Sequence, residues 1–175
     1  MFAPKNACAE RESFFSALLF YRSPNLPQAK EKPSMNATPE LGIAEWIAPI
    51  AVAMVFIAAC SLIREPARRN FSAIVLAGAG AAYLNGGLGL WEFAFCSLIT
   101  FLAYRGLADY RYIGIGWVLH TVWDVLHHFY GNPIVPFVPT SSAGCAICDL
   151  VLAGWYFLGA PSVYSVFVNK EDPTG

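Results

Sequence analysis

Long stretches without a charged side chain constrain the fold of this chain more than any other feature. They cover residues 46–63, 71–91 and 150–169. A run of about 18 or more predominantly apolar residues is long enough to cross the hydrocarbon core of a bilayer as a helix. The sequence therefore predicts an all-α, polytopic integral membrane protein whose surroundings are the lipid bilayer.

The composition agrees with this prediction and excludes other classes of protein. Of the 175 residues, 57% are hydrophobic and only 13% are charged, whereas a soluble domain carries roughly 25% charged residues. This scarcity argues against a soluble enzyme, and the high hydrophobicity excludes disorder for most of the chain. A net charge of −1 leaves no basic excess, which argues against a nucleic-acid partner.

Turn and breaker residues divide the apolar part of the chain into five predicted transmembrane helices. Asn85-Gly86-Gly87 is a strong turn signal inside residues 71–104, a segment too long for one span and slightly short for two. It is interpreted as a hairpin, although a single broken helix would leave four spans. Three prolines make residues 131–141 a loop. The predicted spans are 46–63, 71–84, 88–104, 112–130 and 142–160.

These spans form one predicted transmembrane domain over residues 42–162, between two tails. Residues 1–41 contain five prolines and five basic residues, and they are predicted to be a disordered, mobile N-terminal tail. Residues 163–175 form a short C-terminal tail. The five basic residues of this tail favour the opposite orientation to those of the domain, and an alternative start at Met35 would remove this conflict.

The basic residues of the domain predict its orientation. They follow the first and third spans, at Arg64, Arg68 and Arg69 and at Arg105 and Arg111, and Lys170 lies in the C-terminal tail. Because cytoplasmic loops carry the excess of Lys and Arg, the C-terminus is predicted to be cytoplasmic. The Asn85 turn and the 131–141 loop then lie on the outer face.

Three carboxylates fall inside the predicted spans, at Glu92, Asp124 and Asp149. An ionisable group at mid-membrane costs about 2.5 kcal/mol or more, so it is expected to have a function or a neutralising partner. Counted from the outer face at 1.5 Å per residue, all three lie roughly 7–12 Å deep. Matching depth predicts one shared polar site in the outer leaflet, with these three side chains as candidate catalytic residues.

The fourth predicted span carries a polar stripe that suits a metal. His120, Asp124, His127 and His128 stand at i, i+4, i+7 and i+8, within about 100° of the helix circumference. Side chains at this spacing can share a proton or a metal, and a mixed oxygen and nitrogen set suits Zn, Fe or Mn. With Asp149, these four residues are the candidate ligands of a divalent metal. Asn85, Thr121 and Cys145 are predicted to be supporting polar residues.

Three interpretations of the polar site stay open at this stage. The first is a membrane-embedded, metal-dependent enzyme that acts on a lipid-like small molecule. The second is a non-enzymatic protein, a small transporter or a scaffold, whose polar residues only fix helix packing. The third is an ion or proton pathway. The pattern contains no HExxH motif, so it is not a specific metal signature.

Cys145 and Cys148 form a CxxC motif that invites a redox interpretation. The motif has no second pair beside it, and a buried Cys is often only a small hydrophobe. The chain has five cysteines, an odd number that excludes complete disulfide pairing. A Cys145–Cys148 disulfide is an open alternative, and the sequence does not determine the oligomeric state.

Several motifs carry a resemblance to a known family. They are Ala82-Tyr83-Leu84-Asn85-Gly86-Gly87, Trp91-Glu92, Gly116-Trp117-Val118-Leu119-His120-Thr121-Val122-Trp123-Asp124, His127-His128, Gly131, Pro133-Ile134, Pro136-Phe137, and Ser141-Ser142-Ala143-Gly144-Cys145-Ala146 followed by Asp149. Together they resemble a family of small integral membrane proteins from bacteria and fungi, a domain of unknown function. The resemblance covers about residues 41–162. It implies a helical membrane protein and assigns no activity.

Overall fold

A computed structural model describes residues 41–84 and 86–164. Asn85, nearly all of the predicted N-terminal tail and most of the C-terminal tail lie outside the described residues. The described part folds into five α-helices and contains no strand. The all-α prediction is confirmed, and the segment 71–104 is a hairpin of two helices rather than one broken helix. The helices are α1 Ile43–Ser61, α2 Ala67–Ala81, α3 Leu90–Gly106, α4 Tyr110–Tyr130 and α5 Ser141–Phe157.

The first helix begins earlier than predicted. Gly42 is the N-cap of α1, and Glu45 lies in its first turn, where a carboxylate interacts favourably with the helix dipole. Pro49 therefore lies inside the helix and not in its first turn, as the predicted start at residue 46 required. The uncharged stretch marked the apolar part of this helix but not its first turn.

The second helix also extends beyond its uncharged stretch. It starts at Ala67 and includes Arg68, a buried residue that was predicted to lie in a loop. The Arg68 guanidinium donates to the carbonyl oxygens of Ala160, at 2.8 Å, and Ile63, at 3.1 Å. A buried cation is tolerated here because backbone carbonyls take up its N–H groups.

One end of the helical domain gathers the basic residues and is called the arginine end. It consists of the α1–α2 connection, the α3–α4 connection, the helix turns next to them and residues 158–163. Besides the Arg68 contact, the Tyr110 hydroxyl donates to Glu65 at 2.6 Å, and the Ser162 hydroxyl donates to the Ser61 carbonyl at 3.2 Å. These contacts bring together three segments that are distant in sequence.

The opposite end, called the loop end, contains the 82–89 turn and the 131–140 loop. The Asn132 backbone N–H donates to the Gly86 carbonyl at 2.7 Å. This hydrogen bond places the turn against the loop, as the shared face predicted from the sequence requires. No Lys or Arg occurs in either segment.

Many large apolar side chains are exposed on the surface of the domain, whereas several polar side chains are buried. Ten polar or charged residues are buried in the described part. Among the described helices, Ile43–Ser61 is the one that is long and apolar enough by itself to cross a membrane, and Ser141–Phe157 is apolar but shorter. The buried polar residues are Ser61, Arg68, Ser72, Glu92, His120, Thr121, Asp124, His127, Ser142 and Asp149.

Candidate metal centre

Three of the predicted site residues converge between α4 and α5. His120 Nδ1 lies 2.8 Å from Asp149 Oδ2 and 3.5 Å from Asp124 Oδ2. One potential ligand atom from each of the three side chains lies within 4.8 Å of the other two, and all three residues are buried. We call His120, Asp124 and Asp149 the triad.

Local helix geometry explains why the triad forms. His120 and Asp124 stand four residues apart on α4, so they project from the same face. The 131–140 loop returns the chain to pack α5 beside α4, which brings Asp149 to that face. Thr121 fixes this contact, since its hydroxyl lies 3.0 Å from the Trp117 carbonyl and 3.5 Å from the Ala146 carbonyl on α5.

The two carboxylates of the triad share one ionisable partner. Within the described residues, the ion pairs of Asp124 and Asp149 involve His120 alone. Asp124 Oδ2 has no hydrogen-bond partner, although the residue is fully buried. Buried carboxylates are costly unless they are paired or coordinate a metal. A divalent cation would balance the two carboxylates.

Tyr83 belongs to the site, although the sequence did not single it out. It is buried just after α2, and its hydroxyl donates to Asp124 Oδ1. Its ring centroid lies 5.3 Å from that of His120 and 4.3 Å from that of His127. A tyrosine in an uncharged stretch is easily interpreted as an apolar residue of a helix. Two features could have indicated a role in the site: Tyr83 stands two residues before Asn85, and it belongs to a motif that carries the family resemblance.

Glu92 and His127 form a second pair, which the structure does not join to the triad by a direct polar contact. Glu92 Oε1 accepts the Leu88 N–H at 2.7 Å and lies 3.8 Å from His127 Nε2. His127 Nδ1 lies 3.1 Å from the Trp123 carbonyl, which can only accept, so Nδ1 is the donor. In the neutral imidazole, Nε2 is then an acceptor, and it has no hydrogen-bond partner.

Aromatic rings surround His120. Phe95 stacks on Trp123 with centroids 4.4 Å apart, and the rings of Phe95 and Trp117 each lie 5.6 Å from that of His120. His120 Nε2 has no hydrogen-bond partner in these surroundings. A metal-binding His usually donates its second N–H to an acceptor. Here packing against aromatic rings holds the imidazole instead.

The remaining predicted site residues are placed as follows. His128 is half-buried, its ring lies edge-on to that of Phe129 at 5.1 Å, and its Nδ1 has no hydrogen-bond partner. Cys145 and Cys148 are free thiols, so the disulfide left open by the sequence is not formed. Cys145 stands four residues before Asp149 on α5, so the two side chains project from the same face of that helix. Asn85 lies outside the described residues.

A cavity at the loop end approaches the triad. It has a volume of about 380 Å³ and lies between the 82–89 turn and the 131–140 loop. Tyr83, Gly86 and Asn132 are among its lining residues. Since Tyr83 also contacts Asp124, this cavity leads from the loop end toward the triad.

Comparison with family models assigns the chain to a family. Residues 44–162 match the model of the Family of unknown function (DUF6010). The chain belongs to this family. The DUF6010 region extends from the first turn of α1 to beyond α5, so it includes the triad, Tyr83 and the Glu92–His127 pair. The resemblance to an uncharacterised family is thereby confirmed. Comparisons with curated proteins and with solved structures gave no match.

Proposed function

We propose that this DUF6010 chain is a multi-pass integral membrane protein and a metal-dependent enzyme that acts on a lipid-like substrate. One observation carries the enzymatic part. Two helices bring a histidine nitrogen and two carboxylates within 4.8 Å of one another in a buried site. Catalytic zinc sites commonly use three protein ligands and keep a fourth position for water or substrate.

The distribution of apolar side chains supports the membrane assignment. Every helix presents large apolar residues that are more than half exposed, for example Val55, Ile74, Phe101, Val122 and Leu150. Such a surface is unfavourable in water because large contiguous apolar patches promote association. In a bilayer the same surface faces lipid, and helices satisfy their own backbone polar groups.

The charge distribution supports one orientation. Arg64, Arg69, Arg105 and Arg111 all lie at the arginine end, and the basic side of a membrane protein faces the cytoplasm. The last described residues also lie at this end, so the C-terminal tail would be cytoplasmic. Asp149 lies eight residues after Ser141, about 12 Å from the loop end at 1.5 Å per residue. The triad then belongs to the outer leaflet.

The donor set decides which metals the triad would hold. One imidazole nitrogen and two carboxylates fit Zn, Fe or Mn. A metal of this kind polarises a carbonyl or phosphoryl oxygen and lowers the pKa of a bound water toward neutrality. Tyr83 supports the ligand Asp124, since a hydrogen bond to a ligating carboxylate fixes its orientation.

The Glu92–His127 pair supplies the proton chemistry of the proposed reaction. His127 Nε2 would accept the proton that the attacking water loses, and it would later return that proton to the leaving group. Glu92, 3.8 Å away, would stabilise the imidazolium that forms in between. Water would reach this region through the cavity at the loop end.

Metal analysis of the purified full-length protein tests the proposal. We expect about one divalent metal per chain, as in three-ligand catalytic sites, after growth with Zn, Fe and Mn. Asp124→Asn should lose the metal. Asp109→Asn is the matched control because Asp109 caps α4 at the arginine end and Asn is an equally good cap. If the wild type contains no metal and Asp124→Asn reduces only the stability, the proposal of a metal-dependent enzyme is contradicted.

That contrary result would favour a non-enzymatic small transporter or scaffold. The observation in favour of this second candidate is the hydrogen-bond distance of 2.8 Å between His120 and Asp149. It joins α4 to α5 without any metal, and buried polar contacts of this kind fix helix packing in membranes.

A further inference from the structure

A second cavity lies between α1 and the first half of α5. Its volume is about 450 Å³, which falls in the range of about 300–1,000 Å³ that is typical of small-molecule sites. We call it the lateral groove. The residues that define it are Ala48, Pro49 and Val52 on α1 and Gly144, Cys145 and Cys148 on α5.

Small residues create the groove. Pro49 Cγ lies 3.4 Å from the position that a Cβ on Gly144 would take, so the two helices touch at this point. Beside the contact, Ala48 leaves space that a larger side chain would fill. From Glu45 to Val52, both of which line the groove, it follows α1 for about 10 Å at 1.5 Å per residue.

The chemistry of the lining changes along the groove. Most of the lining is apolar, and Glu45 is the one charged side chain among the described residues that line the groove. Cys145 lines the groove and stands one helical turn before Asp149, so the two side chains project from the same face of α5. Cys148 also lines the groove and directly precedes Asp149, so the groove runs beside the triad along α5. An apolar cavity that ends beside a few convergent polar groups is the usual form of a site for an amphiphile.

We infer that the lateral groove binds the hydrocarbon chain of the substrate, whose polar head reaches the triad past Cys145. This inference rests on the proposed function and deepens it, because it names the substrate class as an amphiphile with an acyl chain. The loop-end cavity would admit water, and the lateral groove would admit the lipid. The two reactants would thus approach the triad from different sides.

Photolabelling tests this assignment on the full-length protein in detergent micelles. The probe is a phosphatidylethanolamine that carries a diazirine on one acyl chain, and the labelled peptides are identified by mass spectrometry. We expect label to concentrate on the α1 and α5 residues that line the groove. Ala48→Phe should reduce this labelling by about tenfold, the effect of losing the burial of two methylene groups.

A matched variant separates occupation of the groove from general lipid contact. Ala51→Phe adds the same side chain to an exposed position of α1 that does not line the groove, and it should leave the labelling unchanged. If Ala48→Phe does not fold, Val52→Phe fills the same space. Uniform labelling of all exposed helices, unchanged in either groove variant, would overturn the inference.

A further variant distinguishes a wrong assignment of the groove from a wrong assignment of the metal-dependent reaction. Asp124→Asn should abolish metal binding and leave the labelling of the groove intact, because the groove contacts are apolar. Concentrated labelling of a protein that never binds metal would retain the groove and overturn the metal-dependent reaction. A metal-containing protein without concentrated labelling would retain the triad and overturn the groove.

Discussion

At the scale of single residues, the Tyr83 hydroxyl is the best test of how the triad is supported. Tyr83→Phe removes the hydrogen bond to Asp124 and keeps the ring that packs on His127. We expect metal affinity to fall by about 10–100-fold, the usual effect of losing an outer-shell partner, with the fold retained. Metal titration of the purified variant measures this change. Tyr104→Phe, at an exposed position of α3, is the control, and equal affinities in both variants would contradict the role.

Substitutions of the adjacent residues His127 and His128 should affect the stability of the protein differently. The sequence placed both His127 and His128 among the metal ligands, whereas the structure pairs His127 with Glu92 and gives His128 no contact with the triad. We expect His127→Gln to destabilise the protein by about 1–3 kcal/mol, because a buried hydrogen-bonded group is lost. His128→Gln should stay within about 0.5 kcal/mol. Thermal unfolding measures both changes.

The metal content of the same two variants completes this test. Neither should lose the metal, since His120, Asp124 and Asp149 remain. Loss of metal in His127→Gln, with the fold intact, would place His127 in the coordination sphere and revise the triad. Loss in His128→Gln would do the same for His128.

At the scale of elements, the 82–89 turn positions the Glu92–His127 pair. A Cβ on Gly86 would collide with His127 Nε2 and would lie 3.2 Å from Glu92 Oε1. We therefore expect Gly86→Ala to destabilise the protein by about 1–3 kcal/mol, as overpacking does. Gly78→Ala is the control on the exposed side of α2, where a Cβ meets nothing within 4 Å.

The control should change stability in the opposite direction. Alanine is favoured over glycine inside a helix by about 0.5–1 kcal/mol, so Gly78→Ala should stabilise the protein. Thermal unfolding of the two variants measures the contrast. Equal effects of the same sign would show that the close contact at Gly86 does not decide the conformation of the turn.

The elements were predictable from the sequence to different degrees. The helices follow from apolar stretches with few or no charges, and the breaks follow from Asn85-Gly86-Gly87 and the prolines of the 131–140 loop, because these signals are local. The first turns of α1 and α2 were missed, since Glu45 and Arg68 are charged and were taken as boundaries. A charged residue does not show where a helix ends if backbone carbonyls or the helix dipole stabilise its charge inside the helix.

The sequence predicts which site residues share a face of one helix, but not which residues of different helices contact each other. The spacing of His120 and Asp124 placed both on one face of α4, and depth counting predicted that Asp149 lies at a similar level. Rotation of one helix about its axis relative to another is not a local property. That is why the sequence did not reveal that Glu92 pairs with His127, or that Tyr83 reaches Asp124 from the turn after α2.

At the scale of the whole molecule, the two ends differ in charge, and this difference predicts the orientation of the protein in a bilayer. The arginine end carries the basic residues of the domain, and the loop end carries none. If the protein spans a membrane with the arginine end inside, a reagent that cannot cross the membrane must distinguish the two ends. The exposed residues Val135, in the 131–140 loop, and Ala108, in the α3–α4 connection, report on them.

Cysteine labelling in intact cells makes this prediction quantitative. In a chain whose five native cysteines are replaced by Ala, Val135→Cys should react with a charged maleimide added outside. Ala108→Cys should react only after permeabilisation. The reverse pattern would invert the orientation and move the triad to the inner leaflet. Reaction of both in intact cells would contradict a multi-pass protein, and reaction of neither would place the loop end away from the outer surface. The expected pattern would place the loop-end cavity, and with it the water of the proposed reaction, on the side of the membrane opposite the cytoplasm.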